Sequence, residues 1–241
     1  MWYTNPNMTA RTIQQKLQQL ATSAKAKASA WFFKTGKGQY GYGDKFRGVT
    51  VPEQRKVAKQ FRDLPLSECK KLLHSSWHED RLTAVFILVY QFEHGDARQQ
   101  QKIVDLYLAN THRINNWDIV DSSAGYILVH QPLSLFKRLA KSANLWERRI
   151  AMIGCSSALR VGNPKPTVVI ATMLLTDQED LMHKAVGWML REMGKRCGVN
   201  ELRGFLKQHA ATMPRTALRY AIEHMTAVEK RRWLALGKAS A

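Results

Sequence analysis

The sequence has few acids for its cations, no long apolar run, no paired cysteines and almost no strand signal, and each shortage removes a class of protein. Cys69, Cys155 and Cys197 are odd in number and far apart, and none falls in a CxxC pair. They give neither a disulfide framework nor a zinc site. His74 and His78, four apart, suit one helix face as metal ligands do, but no third ligand stands near, and neither a metal nor a cofactor is expected. The longest apolar stretch, 84–90, is too short to cross a bilayer. The N-terminal residues contain no apolar core of signal-peptide type. A soluble, cytoplasmic protein with no membrane partner is therefore expected. Acids number 19 against 37 Lys and Arg, a formal net charge of +18. Such an excess repels itself in a folded chain and persists where a polyanion is the partner. Nucleic acid leads, with an anionic membrane second.

What is present is helical periodicity. Segments with helix-spaced apolar residues run over 12–30, 52–61, 66–73, 77–93, 96–108, 117–129, 133–140, 147–159, 164–175, 179–195, 201–209, 214–225 and 226–236. Pro65, Gly95, Pro132, Pro164 and Pro214 stand near starts, and Gly162 and Gly198 follow ends, where helix punctuation belongs. The expectation is an all-α chain whose short links make neighbouring helices antiparallel. It forms a single domain over 1–241, with 1–10 as a loosely ordered leader.

A weak repeat runs through these segments. Arg81, Asp121, Arg148, Lys184 and Arg215 each precede a small residue, and the alanines Ala84, Ala124, Ala151, Ala185 and Ala217 step by 40, 27, 34 and 32 residues. Two-helix solenoid repeats have periods of this size, and their stack presents one helix of each pair on a concave face. On that plan Arg81, Arg148, Arg149, Lys184, Arg191 and Arg215 line a basic trough; solvated helix faces are the alternative for any one of them. Asp121 is out of place in the row. A carboxylate facing phosphate costs DNA affinity unless it does chemistry.

The segment Thr35-Gly-Lys-Gly-Gln-Tyr-Gly-Tyr-Gly43 contains GxGxxG at Gly36, Gly38 and Gly41, but no strand precedes it and no helix follows directly, so a dinucleotide fingerprint is excluded. As a flexible loop, it could lay Lys34, Lys37, Tyr40, Tyr42, Lys45 and Arg47 on a nucleic-acid backbone, or merely connect. Of the seven tryptophans, Trp31, Trp77 and Trp233 are assigned to the core. Trp117 lies four residues before Asp121 and shares its helix face, and Trp188 precedes Arg191 by three. An aromatic beside a carboxylate in a basic groove suits a flat cationic ligand; packing is the competing reading.

Phe33-Lys-Thr-Gly-Lys-Gly-Gln-Tyr-Gly-Tyr-Gly-Asp44, followed by Phe46-Arg-Gly-Val49 and Val51-Pro-Glu-Gln-Arg55, resembles the N-terminal signature of the AlkD family of DNA alkylation repair glycosylases. Asn116-Trp-Asp-Ile-Val-Asp121, Trp146-Glu-Arg-Arg-Ile-Ala151 and His183-Lys-Ala-Val-Gly-Trp-Met-Leu-Arg-Glu192 resemble its three central motifs. The resemblance runs in order from about residue 30 to 225. Gly125, Tyr126 and the leading 1–7 segment depart from it. It implies a HEAT-like α-solenoid with a basic concave face, acting as a monomer on double-stranded DNA. The implied reaction hydrolyses the N-glycosidic bond of cationic N3- or N7-alkylated purines without flipping the base. It further implies Asp121 as catalytic carboxylate, Trp117 and Trp188 as the aromatic pair beside the lesion, and Arg149 as a phosphate contact. Arg148, Lys184, Arg191, Lys34, Tyr40 and Arg81 complete the expected DNA-binding set. A non-catalytic nucleic-acid-binding solenoid or a scaffold is the alternative, and the Asp121–Trp117–Trp188 set is what separates the enzyme from it.

Overall fold

The computed structural model describes residues 8–236, and among them no strand forms; an isolated bridge joins Lys45 to Trp77. Backbone contacts divide the chain into two compact units, Met1–Ile127 and Leu128–Ala241. The first contains α1 (Ala10–Leu20), α2 (Ser23–Phe32), α3 (Val51–Gln60), α4 (Leu66–Leu73), α5 (His78–His94), α6 (Ala97–Ala109), a 3-10 turn (Thr111–Arg113), α7 (Trp117–Asp121) and α8 (Ala124–Ile127). The second contains α9 (Leu133–Leu139), α10 (Leu145–Gly154), α11 (Ser156–Arg160), α12 (Lys165–Leu174), α13 (Asp180–Arg196), α14 (Val199–His209), α15 (Arg215–Ala221) and α16 (Ala227–Ala235). The fold is all-α, and helices packing mainly on near neighbours in sequence are consistent with a HEAT-like α-solenoid. No helix among the described residues is long and apolar enough to cross a membrane. Residues 1–7 of the expected leader lie outside the described residues, and Thr9 and Ala10 already cap and open α1.

Each unit is built on one long helix. In the first, α5 packs against α1, α3, α4, α6, α7 and α8, and it is buried continuously from His78 to Leu88. Its apolar run explains the length; its first four residues, His-Glu-Asp-Arg, are buried although all are polar. Buried polar groups persist only when partnered, and the partners come from the glycine-rich segment described below. In the second unit α13 packs against α10, α11, α12, α14 and α15. It is amphipathic, burying Met182, Ala185, Val186, Met189, Leu190 and Met193 at helical spacing. Gly187 lets α15 approach α13 closely: a Cβ there would lie 2.4 Å from the Ala217 carbonyl oxygen.

Three expected helices are each two. The 12–30 segment breaks after Leu20, where the Thr22 N–H donates to the Gly48 carbonyl (3.3 Å). The 117–129 segment breaks at Ser122–Ser123, where the Ser123 hydroxyl donates back to the Ile119 carbonyl (2.7 Å), a side-chain competitor for the helical ladder. The 147–159 segment breaks at Cys155.

Candidate active site

The glycine-rich segment is not a loose loop. Lys34 takes a left-handed conformation (φ 53°), and the Thr35 N–H returns to the Ala30 carbonyl (3.2 Å), ending α2 in the manner of a C-terminal cap. Further on, the segment is anchored to the start of α5. Glu79 accepts the backbone N–H groups of Arg47 (2.9 Å), Gly48 (2.8 Å) and Val49 (3.3 Å). Gly48, at φ +83° and against the Thr22 carbonyl, admits no side chain. Asp80 takes Arg47 in two bonds, Nε to Oδ1 at 3.0 Å and Nη2 to Oδ2 at 3.1 Å, while the same guanidinium lies 4.6 Å over the Trp77 ring. Asp44 receives Arg81 Nη2 at 2.6 Å, His78 Nδ1 at 3.2 Å and Asn116 Nδ2 at 3.2 Å. Burial alone would raise the Asp44 carboxyl, but the His78 bond and the Arg81 guanidinium outweigh it and hold it below its ordinary value.

This anchored segment meets α7. Asn116 caps the helix, its Oδ1 accepting the Trp117 N–H (2.8 Å). The Trp117 indole N–H donates to the Tyr40 hydroxyl (3.2 Å). Phe33 stacks on the Trp117 ring at 5.3 Å, and Phe32 meets it edge-on at 5.9 Å. Trp117 is thus fixed in place by the glycine-rich segment while staying half-buried. Asp121, one turn on and also half-buried, ends α7 on the same face. Its carboxylate is near enough to the buried Tyr107 to matter: burial pushes that phenol well above its ordinary value, and Asp121 adds to the shift.

In the second unit, α10 and α13 carry the cations. Arg148 grips Asp177 with Nε (2.6 Å) and Nη2 (3.2 Å) and reaches the Ser142 and Ala143 carbonyls with Nη1. Arg149 is buried, its Nη1 donating to the Leu181 carbonyl at the start of α13 (2.6 Å). On α13, Lys184 pairs with Asp180 at 2.7 Å, which lowers that carboxyl, and Arg191 pairs with Glu223. Trp188 is half-buried between them in sequence.

The sequence model of one family, the DNA alkylation repair enzymes, matches residues 13–225, nearly the whole chain. The chain belongs to that family. Its fold resembles a solved structure described as a predicted DNA alkylation repair enzyme from Enterococcus faecalis, with a TM-score of 0.66 and 16% identity, covering 86% of this chain and 97% of that one. At that identity the likeness concerns the fold. No curated protein matches.

Within this DNA alkylation repair family member, the expected residues fall into distinct groups. Trp117 and Tyr40 are brought together in the first unit, Asp121 follows Trp117 by one helical turn, and Lys34 lies exposed on the segment that carries Tyr40. Arg148, Lys184 and Arg191 keep part of their side chains in solvent while holding an acid. Arg81 and Arg149 do not fit the expected trough: their residues are 2% and 5% exposed, and both guanidinium groups donate inward. The reason for Arg81 is Asp44, a buried acid that needs a cation. Arg47 is likewise spent on Asp80. Trp31, assigned to the core from its helical position, is 84% exposed, because α2 buries none of its residues. Trp233 is buried as expected, and Trp77 is half-buried beneath Arg47. His74 and His78 do not converge on a common ligand position; His74 meets Asn110 (2.7 Å), and His78 meets two carboxylates. What sequence reasoning missed is that second set, Asp44, His78, Asn116 and Asp118. The signal was a run of four polar residues opening an otherwise apolar helix.

Proposed function

We propose that this protein is a monofunctional DNA glycosylase that hydrolyses the N-glycosidic bond of cationic N3- or N7-alkylated purines in duplex DNA, without flipping the base. It acts as a cytoplasmic monomer, with residues 1–241 as a single domain. The observation that carries the reading is the α7 face itself: Trp117, pinned by Phe33 and Tyr40, one helical turn from the carboxylate of Asp121. Membership of the DNA alkylation repair family supports it.

The chemistry needs little more. An N-alkylated purine already carries positive charge, so it leaves with the C1′–N bond pair and becomes neutral without a general acid. Departure puts oxocarbenium character on the deoxyribose. The Asp121 carboxylate, as an anion, stabilises that charge electrostatically. It also accepts a hydrogen bond from the water that attacks C1′. The electron-rich face of Trp117 favours the cationic base before it leaves. With no lysine assigned as a Schiff-base nucleophile, strand cleavage is not part of the reaction. Lys184, Arg191, Arg148 and Lys34 supply phosphate contacts, and Trp188 lies beside the lesion. Arg81 and Arg149 position backbone rather than phosphate.

The test is single-turnover release of 7-methylguanine from methylated DNA at saturating enzyme, where weak binding cannot pass for slow chemistry. Asp121→Asn keeps the volume and loses the charge. The expected loss is on the order of a hundredfold to a thousandfold in rate, with DNA affinity unchanged or raised. A rate near wild type for this variant removes Asp121 from catalysis.

A further inference from the structure

His78 opens α5 with both ring nitrogens against carboxylates: Nδ1 is 3.2 Å from Asp44 Oδ2 and Nε2 is 2.8 Å from Asp118 Oδ2. A neutral imidazole has one N–H and would turn a lone pair on one of these acids; the imidazolium donates to both. The ring is also enclosed, stacked at 4.7 Å on Phe46 and tilted at 4.9 Å to Phe33. Charge makes the same argument. Asp44 and Asp118 are balanced by Arg81 and a protonated His78; a neutral histidine leaves one negative charge uncompensated in a buried cluster, which is costly.

The two acids belong to the two parts that must meet. Asp44 lies in the glycine-rich segment that carries Phe33 and Tyr40. Asp118 sits between Trp117 and Asp121 on α7, its Oδ1 accepting the Ile119 N–H (2.9 Å). We propose that His78, by bridging Asp44 and Asp118, is the positioning residue that docks the glycine-rich segment on α7 and so fixes Trp117 beside Asp121. The docking itself is independent of the reaction; only its kinetic consequence rests on the glycosylase reading.

The bridge titrates. Burial would lower the imidazolium pKa, but Asp118 and then Asp44 outweigh it and raise it to about 9. The other charged groups around it do not substitute. Glu79 faces the 47–49 backbone and Asp80 faces Arg47, while Arg113, on the 3-10 turn, adds a cation near Asp44. The folded pKa lies above the unfolded one, so the bridge's contribution is complete below about 6.5 and is lost as pH rises through about 9.

Two variants test this on the full chain. His78→Gln removes the charge, and Asp118→Asn weakens one arm while leaving an acceptor. Hydrogen exchange of amides 34–48 is read at neutral pH, together with the ring 15N shifts of His78. Single-turnover base release is followed across pH 6–10. In His78→Gln, the expected result is faster exchange confined to 34–48 and α7. Its excision is on the order of tenfold to a hundredfold slower, and DNA affinity stays within about twofold. In Asp118→Asn, the alkaline limb of the wild-type profile moves down by about one pH unit or more, and the ring nitrogens report the same shift. Unchanged exchange at 34–48 in Asp118→Asn, or a His78 ring that titrates at the same pH in it, overturns the proposal. If His78→Gln fails to fold, Asp118→Asn decides on those readouts. If wild-type protein releases no base, the glycosylase reading falls, and the exchange and 15N measurements still decide the bridge.

Discussion

The two long helices α5 and α13 have the same length and serve their units in opposite ways. Around α5 the charges are inside: Asp44, His78, Glu79, Asp80 and Arg81 are nearly withdrawn from water and bonded to one another, to Arg47 or to backbone. On α13 itself Lys184 and Arg191 each hold a largely exposed acid, and their own side chains are 39% and 19% exposed. Buried pairs fix geometry, because removing one member strands the other in a medium that solvates it poorly. Rim pairs are worth little and can exchange an acid for a phosphate. The same excess of cations thus divides into one set buried around the α7 site and another paired with exposed acids on α13.

The contrast breaks or sharpens first at Arg81. Arg81→Met leaves Asp44 without its shortest partner, and an expected cost of about 3–5 kcal/mol follows from orphaning a buried charge. The salt dependence of DNA binding stays as in wild type, because the guanidinium is not on the surface. Urea denaturation and a binding series in salt measure the two. A cost below about 1 kcal/mol with a reduced salt slope would return Arg81 to the trough in which the sequence pattern placed it.

Gly187→Ala tests the packing on which α13 depends. The added carbon meets backbone of α15 at 2.4 Å, and backbone cannot step aside as a flexible side chain can. The expected loss is about 1–3 kcal/mol, the usual range for overpacking. An unchanged denaturation midpoint would mean that α15 shifts freely.

Lys184→Met belongs to the other class. Its partner Asp180 is 60% exposed, so stability should change by at most about 0.5 kcal/mol. The slope of log affinity against log salt should fall by about 1 if the ammonium trades Asp180 for phosphate. A slope identical to wild type assigns Lys184 to its helix alone.

Much of this was legible beforehand and some was not, for identifiable reasons. The α4, α6, α12 and α13 spans followed from apolar spacing and from Pro65, Pro164 and Gly198, which act locally. At the break after Leu20, the Thr22 N–H meets a carbonyl 26 residues beyond it, at Gly48, and spacing carries no trace of it. The repeat row located real helix positions, yet spacing says nothing of whether an arginine meets solvent or a buried acid. Arg148 and Arg149 are adjacent, and one is half-buried at Asp177 while the other is buried at the Leu181 carbonyl. Asp121 stands out in the sequence as a carboxylate in a row of cations, and Trp117 by its spacing of four residues from it. His78 does not, because its meaning lies in Asp44 and Asp118, distant in sequence.

The smallest expected effect falls on Trp31, where helical position and solvent disagree. A tryptophan in a core costs about 3–5 kcal/mol on truncation to alanine, and Trp233, at 6% exposed, should behave so. Trp31 is 84% exposed on a helix that buries none of its residues. Its ring has little apolar area to lose from contact, so the hydrophobic term nearly vanishes. Alanine is also the better helix former by a few tenths of a kcal/mol. These contributions leave Trp31→Ala within about 0.5 kcal/mol of wild type, of either sign. Chemical denaturation of the two variants side by side measures the difference. A cost for Trp31→Ala that matches Trp233→Ala would mean that the Trp31 ring packs against protein after all, and the division between inward and outward residues in the first unit would have to be redrawn there.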